Sequence, residues 1–461
     1  MRWQPLVLVL LMPLALSACS TKVAKAPNSL LIPPQWRNQV GPASPLEAHW
    51  WRAFGDRQMN SLVEQALRNN PDILTARSRV DQYRAQLRAA QGDNYPTLDA
   101  GVAATRARTL SSVTGQPIQS TVFQGVLEAN YDVDLWGTRS SSIDAAQYSL
   151  AAQQAAASAA ELTVASSVAS GYLTLCALDE QLRVTEATLA SRENSLKLAK
   201  RQYETGYTSR LEWVQAASEY QTAKAQIPQL QHQITSQENA LSILVGMNPR
   251  EIARAAQFNQ IIAPQLPTVL PSELLQRRPD IVQAERQLLA ADKTLQSSQA
   301  KLLPSLNLTA TGTLQSSVLH QLVDNPFRLW SVGGSVLAPL LNREALTAEV
   351  DVSMAGRNQA LYNYEKVVRN AFSEVNNDVD AIQRTRQQLQ ELEQQQEIVS
   401  EALRIARNRY QNGYASYLDE LDAQRTLFTT QLSVVQLKNS LLLAQIDLYR
   451  ALGGGWDAAS H

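Results

Sequence analysis

The chain has 461 residues, enough for more than one ordinary domain, and sets 41 Lys+Arg against 42 Asp+Glu. A charge so balanced offers no basic field for nucleic acid, and the 18% of charged residues falls below the roughly 25% of an average globular protein. Four scattered histidines (His49, His232, His320 and His461) lack metal-ligand spacing, and no G-x-x-x-x-G-K-[ST] phosphate loop or other catalytic constellation is present, so no enzyme is expected.

The first element is an export signal, residues 1–18. Arg2 precedes an apolar run from Leu6 to Leu16 that is too short to span a bilayer, and Leu16-Ser17-Ala18-Cys19 reads as a bacterial lipobox with Cys19 lipidated. Ser20 and Thr21 follow, with no Asp to hold the chain at the inner membrane, which points to the outer membrane. The alternative is an ordinary signal peptide with a chance cysteine. Cys176, the other cysteine, lies in an Ala/Leu-rich helical stretch and reads as a small buried apolar side chain. No apolar stretch of about 20 residues follows the signal, so no transmembrane helix is expected.

After an extended segment, 19–58, the chain is written twice. Asn70-Pro71-Asp72-Ile73 returns as Arg278-Pro279-Asp280-Ile281, and Tyr95-Pro96-Thr97-Leu98 returns as Leu303-Pro304-Ser305-Leu306. Gly206-Tyr207 returns as Gly413-Tyr414, in the same register to within a residue. This predicts repeats at 59–250 and 271–453, joined by a linker at 251–270 and followed by a tail at 454–461. The period is far longer than the roughly 20–50 residues of solenoids, so a duplicated architecture is expected.

Each repeat carries two segments with period-two alternation, near 97–109 and 121–134, then 305–317 and 329–339; the pattern is weaker over Leu98 to Ala104 and Trp330 to Ala338, where Gly and Ala soften it. Leu306, Leu308, Ala310, Gly312 and Leu314 alternate with Asn307, Thr309, Thr311, Thr313 and Gln315. Such lengths, with one apolar and one polar face, fit membrane strands, although soluble hairpins share the pattern. Four strands leave open edges, which hydrocarbon does not tolerate, so a barrel has to be shared among several chains.

Long helices fill the rest. No Gly or Pro occurs from Arg357 through Asn412 or from Tyr414 through Leu452, which allows rods of about 80 and 60 Å joined by a sharp turn at Gly413. Leu427, Thr430, Val434, Leu437, Leu441, Ala444, Leu448 and Ala451 trace a coiled-coil seam. The first copy matches it from Tyr220 to Leu244, with Gln237 interrupting the seam and Pro228 expected to kink or unwind the helix.

The lipobox, Asp134-Leu135-Trp136-Gly137, the paired Tyr-x-x-Gly turns and Leu421-Asp422-Ala423-Gln424-Arg425-Thr426-Leu427-Phe428 together resemble the outer membrane efflux protein (TolC-like) family. The closer likeness is to its lipoprotein branch, the outer membrane factors of tripartite RND pumps. The resemblance implies a mainly α chain with a membrane β portion. Three copies would form a twelve-stranded outer-membrane barrel above a periplasmic coiled-coil α-barrel, with a mixed band near Pro249–Pro271 and beyond Gly453. It implies a passive duct for small toxic molecules that works with a periplasmic adaptor and an inner-membrane RND-type transporter. It implies outer-membrane lipid around the barrel, and no cofactor beyond the lipid on Cys19. It places a periplasmic gate at Tyr410, Leu418, Asp419, Asp422 and Glu212, and adaptor-docking turns at Gly206, Tyr207, Gly413 and Tyr414. Ala415 and Thr208 stand where some relatives carry a gate-locking arginine, which departs from the pattern. A solvated acidic helix end is the alternative for the carboxylates. A protein-secretion duct or an envelope-tethering coiled-coil lipoprotein are the rival functions.

Overall fold

The computed structural model describes residues 30–37, 46–255, 257–265 and 269–456; Cys19 and the tail beyond Trp456 lie outside them. In chain order the elements are α1 (Arg57–Asn69), α2 (Pro71–Gly92), β1 (Thr97–Leu110), β2 (Pro117–Val133), α3 (Thr138–Glu204) and α4 (Arg210–Leu244). They are followed by α5 (Pro271–Arg277), α6 (Pro279–Ala300), β3 (Ser305–Ser316), the one-turn α7 (Gln321–Asp324), β4 (Phe327–Leu337), α8 (Arg343–Gln411) and α9 (Tyr417–Ala451). With α7 set aside, the second half repeats the first element by element. The chain divides into two compact units that do not coincide with the repeats, because each takes residues from both.

The first unit holds the strands in one antiparallel sheet of order β1-β2-β3-β4. The register sorts the two faces. Leu98 opposes Ala129, Ala129 opposes Ala310, and Ala310 opposes Val332; two residues on, Ala100, Leu127, Gly312 and Trp330 form the next row. The apolar face is open to the surroundings, with Val102 89% and Trp330 81% exposed. Among the described residues, β1 and β4 each lack a partner on one edge. All four helix junctions lie at one end of the sheet, and one of them shows what Asp134-Leu135-Trp136-Gly137 does. The Asp134 carboxylate accepts from the backbone N–H of Arg139 (3.1 Å) and Ser140 (2.9 Å), capping α3, while the Trp136 indole donates to Pro304 O at 2.6 Å.

The second unit contains the main core. Trp50 stacks on Tyr449 with ring centroids 5.4 Å apart, and Phe54, Met59, Leu62, Tyr172, Leu173 and Ile446 pack around them. Asp56 caps α1 by accepting from Gln58 N (2.8 Å) and Met59 N (2.9 Å), and its other oxygen accepts from Tyr172 Oη at 3.1 Å. Cys176 is buried in this core, which pushes its thiol up to about 12. One stretch of α3 is long and apolar enough to pass for a membrane span, contrary to the sequence expectation. The reason is local: Val164, Val168, Tyr172, Leu173 and Leu175 are core residues.

Three helical expectations are corrected. The helix expected from Arg357 begins at Arg343 and runs through Gly356, for a length of 69 residues. Of the two outcomes expected at Pro228, a kink or local unwinding, unwinding is ruled out, since α4 stays helical throughout. Gln237 does not break the seam, because its Nε2 donates to Gly171 O (3.0 Å), a carbonyl left accessible where a side chain would collide with Gln237 and Leu241.

Each repeat is closed by the same device built from different residues. Asn70 caps α2 through Asp72 N (2.8 Å) and donates to Leu244 O (2.8 Å) at the end of α4. At the matching position, Arg278 donates to Ala451 O (3.0 Å) at the end of α9 and pairs with Asp280 and Glu374. Gly246 and Gly453 follow these helix ends at φ 74° and 94°. A Cβ there would lie 2.4 Å from Asn69 O and 2.1 Å from Arg277 O. Gly246→Ala or Gly453→Ala should therefore cost about 2–4 kcal/mol and lower the melting temperature of the purified protein. Gly92→Ala, which meets open space, should not.

A titrating carboxyl lies beside Arg278. Burial first, and then Asp447, pushes Asp378 from its ordinary 3.8 up to about 7. The unfolded chain gives up this proton near pH 4 and the fold keeps it to about pH 7. The folded state is therefore progressively penalised as pH rises across that window, and fully so above it. Asp378→Asn should raise the melting temperature more at pH 8 than at pH 4.5; equal shifts at the two values would contradict this.

Candidate functional site

The candidate site is the pair of helix–turn–helix tips in the second unit, where α3 turns into α4 and α8 into α9. Both turns follow one hydrogen-bond scheme. Tyr207 N donates to Gln202 O and Gly206 N to Tyr203 O, and Tyr414 N donates to Arg409 O and Gly413 N to Tyr410 O, at 2.8 and 3.0 Å in each case. This is the Schellman arrangement, which needs a left-handed residue after the helix, supplied by Gly206 (φ 73°) and Gly413 (φ 77°). The rings of Tyr207 and Tyr414 are exposed, and the Tyr207 hydroxyl lies next to Gly413, joining the two turns.

Below the turns, Tyr410 is 3% exposed and packs with Ala199, Ala216, Tyr417 and Leu421. Its hydroxyl donates to Gln202 Oε1 at 2.7 Å, tying α8 to α3. Burial, and then the neighbouring Glu212 carboxylate, holds that hydroxyl well above the usual tyrosine range, so it remains a donor. Tyr417 beside it is pushed up to about 12, again mainly by burial.

The acidic residues separate into different environments. The Asp419 carboxylate accepts from Ser416 N and Ser416 Oγ, both at 3.2 Å, completing a capping box that starts α9. Its counterpart Glu212 makes no such box, since Ser209 has no side-chain cap bond, and Glu212 Oε2 is buried without a hydrogen-bond partner. Asp422 and Leu418 are exposed on α9, Leu418 at 57%. The two repeats thus share a turn and differ in how the return helix begins.

Sequence reasoning missed a buried polar network just behind the tips. Glu420, 2% exposed, accepts from Gln424 Nε2 (2.7 Å), Ser195 Oγ (3.2 Å) and Arg407 Nε (3.3 Å), while Arg407 Nη2 donates to Ser191 Oγ at 2.7 Å. A second centre is Glu219 on α4, which pairs with Arg192 of α3 (3.2 Å) and accepts from Arg425 of α9 (2.9 Å). Arg192 also lies over the Phe428 ring, 5.4 Å from its centroid. Together these bonds fasten all four long helices, and they floor an open groove of about 470 Å³ lined by Arg192, Arg404, Arg407, Gln424 and Phe428. The available sequence signal was Gln424-Arg425 inside the Leu-Asp-Ala-Gln-Arg motif. Glu219 and Glu420, at helix positions that look solvated, gave none.

Removing the centre of the network should loosen the tips. Glu420→Ala leaves Arg407, Gln424 and Ser195 without their shared acceptor and should cost about 3 kcal/mol, read as a lower melting temperature. Arg404→Ala, which removes an exposed pair with Glu401 one helical turn away, should leave the melting temperature unchanged.

Comparison with known proteins agrees with this geometry. A family model described as outer membrane efflux protein matches twice, over residues 62–247 and 270–454. The pyoverdine export outer membrane protein OpmQ of Pseudomonas aeruginosa is 34% identical over 456 residues, 96% of each chain. The toluene efflux pump outer membrane protein TtgC of Pseudomonas putida is 32% identical over 415 residues, 89% of this chain and 86% of the relative. A solved structure of CusC superposes with a TM-score of 0.86 at 28% identity, over 95% of this chain and 100% of that one. The outer membrane protein VceC of Vibrio cholerae gives 0.82 at 28%, over 90% and 100%. The duplicated helix–strand–helix plan, the four-stranded sheet and the paired tips are those of the outer membrane efflux protein family, to which this chain belongs.

Proposed function

We propose that three copies of this chain close one twelve-stranded barrel in the outer membrane and continue as a helical duct in the periplasm, anchored by a lipid on Cys19. The duct opens onto a periplasmic adaptor and an RND-type inner-membrane transporter. The observation that carries this reading is the sheet: one face apolar and exposed, both edges unpaired, and every helix junction at the same end. Hydrocarbon tolerates such a face and does not tolerate such edges. Efflux is then passive, with cargo chosen by the transporter and carried across the outer membrane through this channel. Relatives named for pyoverdine export and toluene efflux support a small-molecule cargo over a protein one.

The tips would form the periplasmic gate. Tyr410, donating to Gln202, holds α8 to α3, and Leu418 and Asp422 would surround the axis as an apolar and an acidic ring. Asp419 supports the gate through the start of α9, and Glu212 through its proximity to Tyr410. The turns at Gly206-Tyr207 and Gly413-Tyr414, with the arginine-lined groove beside them, would receive the adaptor.

Single-channel recording in planar bilayers tests the gate. Asp419→Ala/Asp422→Ala should conduct more than the unaltered protein, because the cap that starts α9 and the acidic ring are both lost. Unchanged conductance would remove these residues from the gate.

A further inference from the structure

The charges of the sheet are partitioned by face. On the apolar face, which the register assigns to the rows of Leu98, Ala129, Ala310 and Val332, the charged residues are Arg106, Arg108 and Arg328, with no acidic residue. On the opposite face they are Asp99, Glu128 and Asp132, with no basic residue. The arginines are also grouped along the strands. Arg106 and Arg108 lie near the end of β1 and Arg328 near the start of β4, so all three lie at the loop end, away from the helix junctions. All three are exposed, and among the described residues none forms an ion pair within 4.0 Å. Asp324, on α7 in the neighbouring loop, is not paired with Arg328.

Arginine on a lipid-facing surface is strongly disfavoured at the bilayer centre and tolerated at the interface, which restricts these residues to the outward headgroup level. Their edge strands matter too. If β4 of one copy meets β1 of the next, Arg328 joins Arg106 and Arg108 at the same seam, and unpaired guanidinium groups gather there without a protein carboxylate. Like charges placed together need an anionic counterpart, and a guanidinium fork matches phosphate in bidentate fashion.

We propose that Arg106, Arg108 and Arg328 form a binding rim for the phosphate groups of the outer-leaflet glycolipid, with the apolar rows below them receiving its acyl chains. This rests on the outer-membrane barrel reading above. The occupant follows from two observations: the rim is purely cationic, and it continues directly into the exposed apolar face. A phosphorylated amphiphile satisfies both, whereas a free anion would satisfy only the first.

The test is native mass spectrometry of the full-length detergent-purified protein titrated with bisphosphorylated lipid A, lipid A stripped of its phosphates, and phosphatidylglycerol. Bisphosphorylated lipid A should be retained. The Arg106→Ala/Arg108→Ala/Arg328→Ala protein should bind it at least about tenfold more weakly. Conversion of the three residues to Lys should restore most of the binding. Equal retention by the triple Ala protein, or equal binding of the stripped lipid A, would overturn the proposal. Equal binding of phosphatidylglycerol would overturn the glycolipid assignment. Where the triple variant fails to assemble, the single Ala variants are titrated instead, and unchanged affinity in all three counts against the rim. Conductance of the unaltered protein, recorded separately, tells failure of the rim from failure of the channel reading.

Discussion

The open edges of a four-stranded sheet govern the rest of this molecule. β1 and β4 each expose a row of backbone donors and acceptors, and the face between them is too apolar to be left in water. Water would satisfy the edges and penalise the face; lipid would do the reverse. Continuation of the sheet from one copy into the next satisfies both, which makes the membrane portion a property of the assembly. The helices follow the same logic, since lengths of 67 and 69 residues far exceed what the core of one chain needs.

Duplication supplies the plan, and local departures from it make the two repeats unequal. The two repeats agree in element order, in the X-Pro turns that begin α2 and α6, and in the Schellman turns at the tips. They differ where a single residue changes the chemistry. Asn70 and Arg278 both capture the last carbonyls of a return helix, but only Arg278 brings a charge and recruits Glu374. Asp419 caps its helix, whereas Glu212 turns towards Tyr410. Two tips made from one template therefore have unequal holds.

Much of this was legible in the sequence because it rests on local rules. Alternation of period two located all four strands to within a few residues, since a one-residue slip would turn every side chain to the wrong face. Gly206 and Gly413 announced the tips because few other residues accept a left-handed backbone. What stayed hidden depends on distant partners. Gly356 looked like a helix boundary and is an interior position. Gln237 looked like a flaw in the seam and is matched to Gly171 on another helix. Glu219 and Arg425 are 206 residues apart, and nothing local to either marks the other. The face-sorted arginines were visible only once the register aligned four separate strands.

The central claim is that the sheet is completed between copies of the chain. Native mass spectrometry of the protein, extracted from outer membranes in mild detergent, addresses it directly. A trimeric mass that collapses to the single chain only on heating is the expected result. A folded, stable monomer would contradict it, because one chain would then have found another way to satisfy β1 and β4.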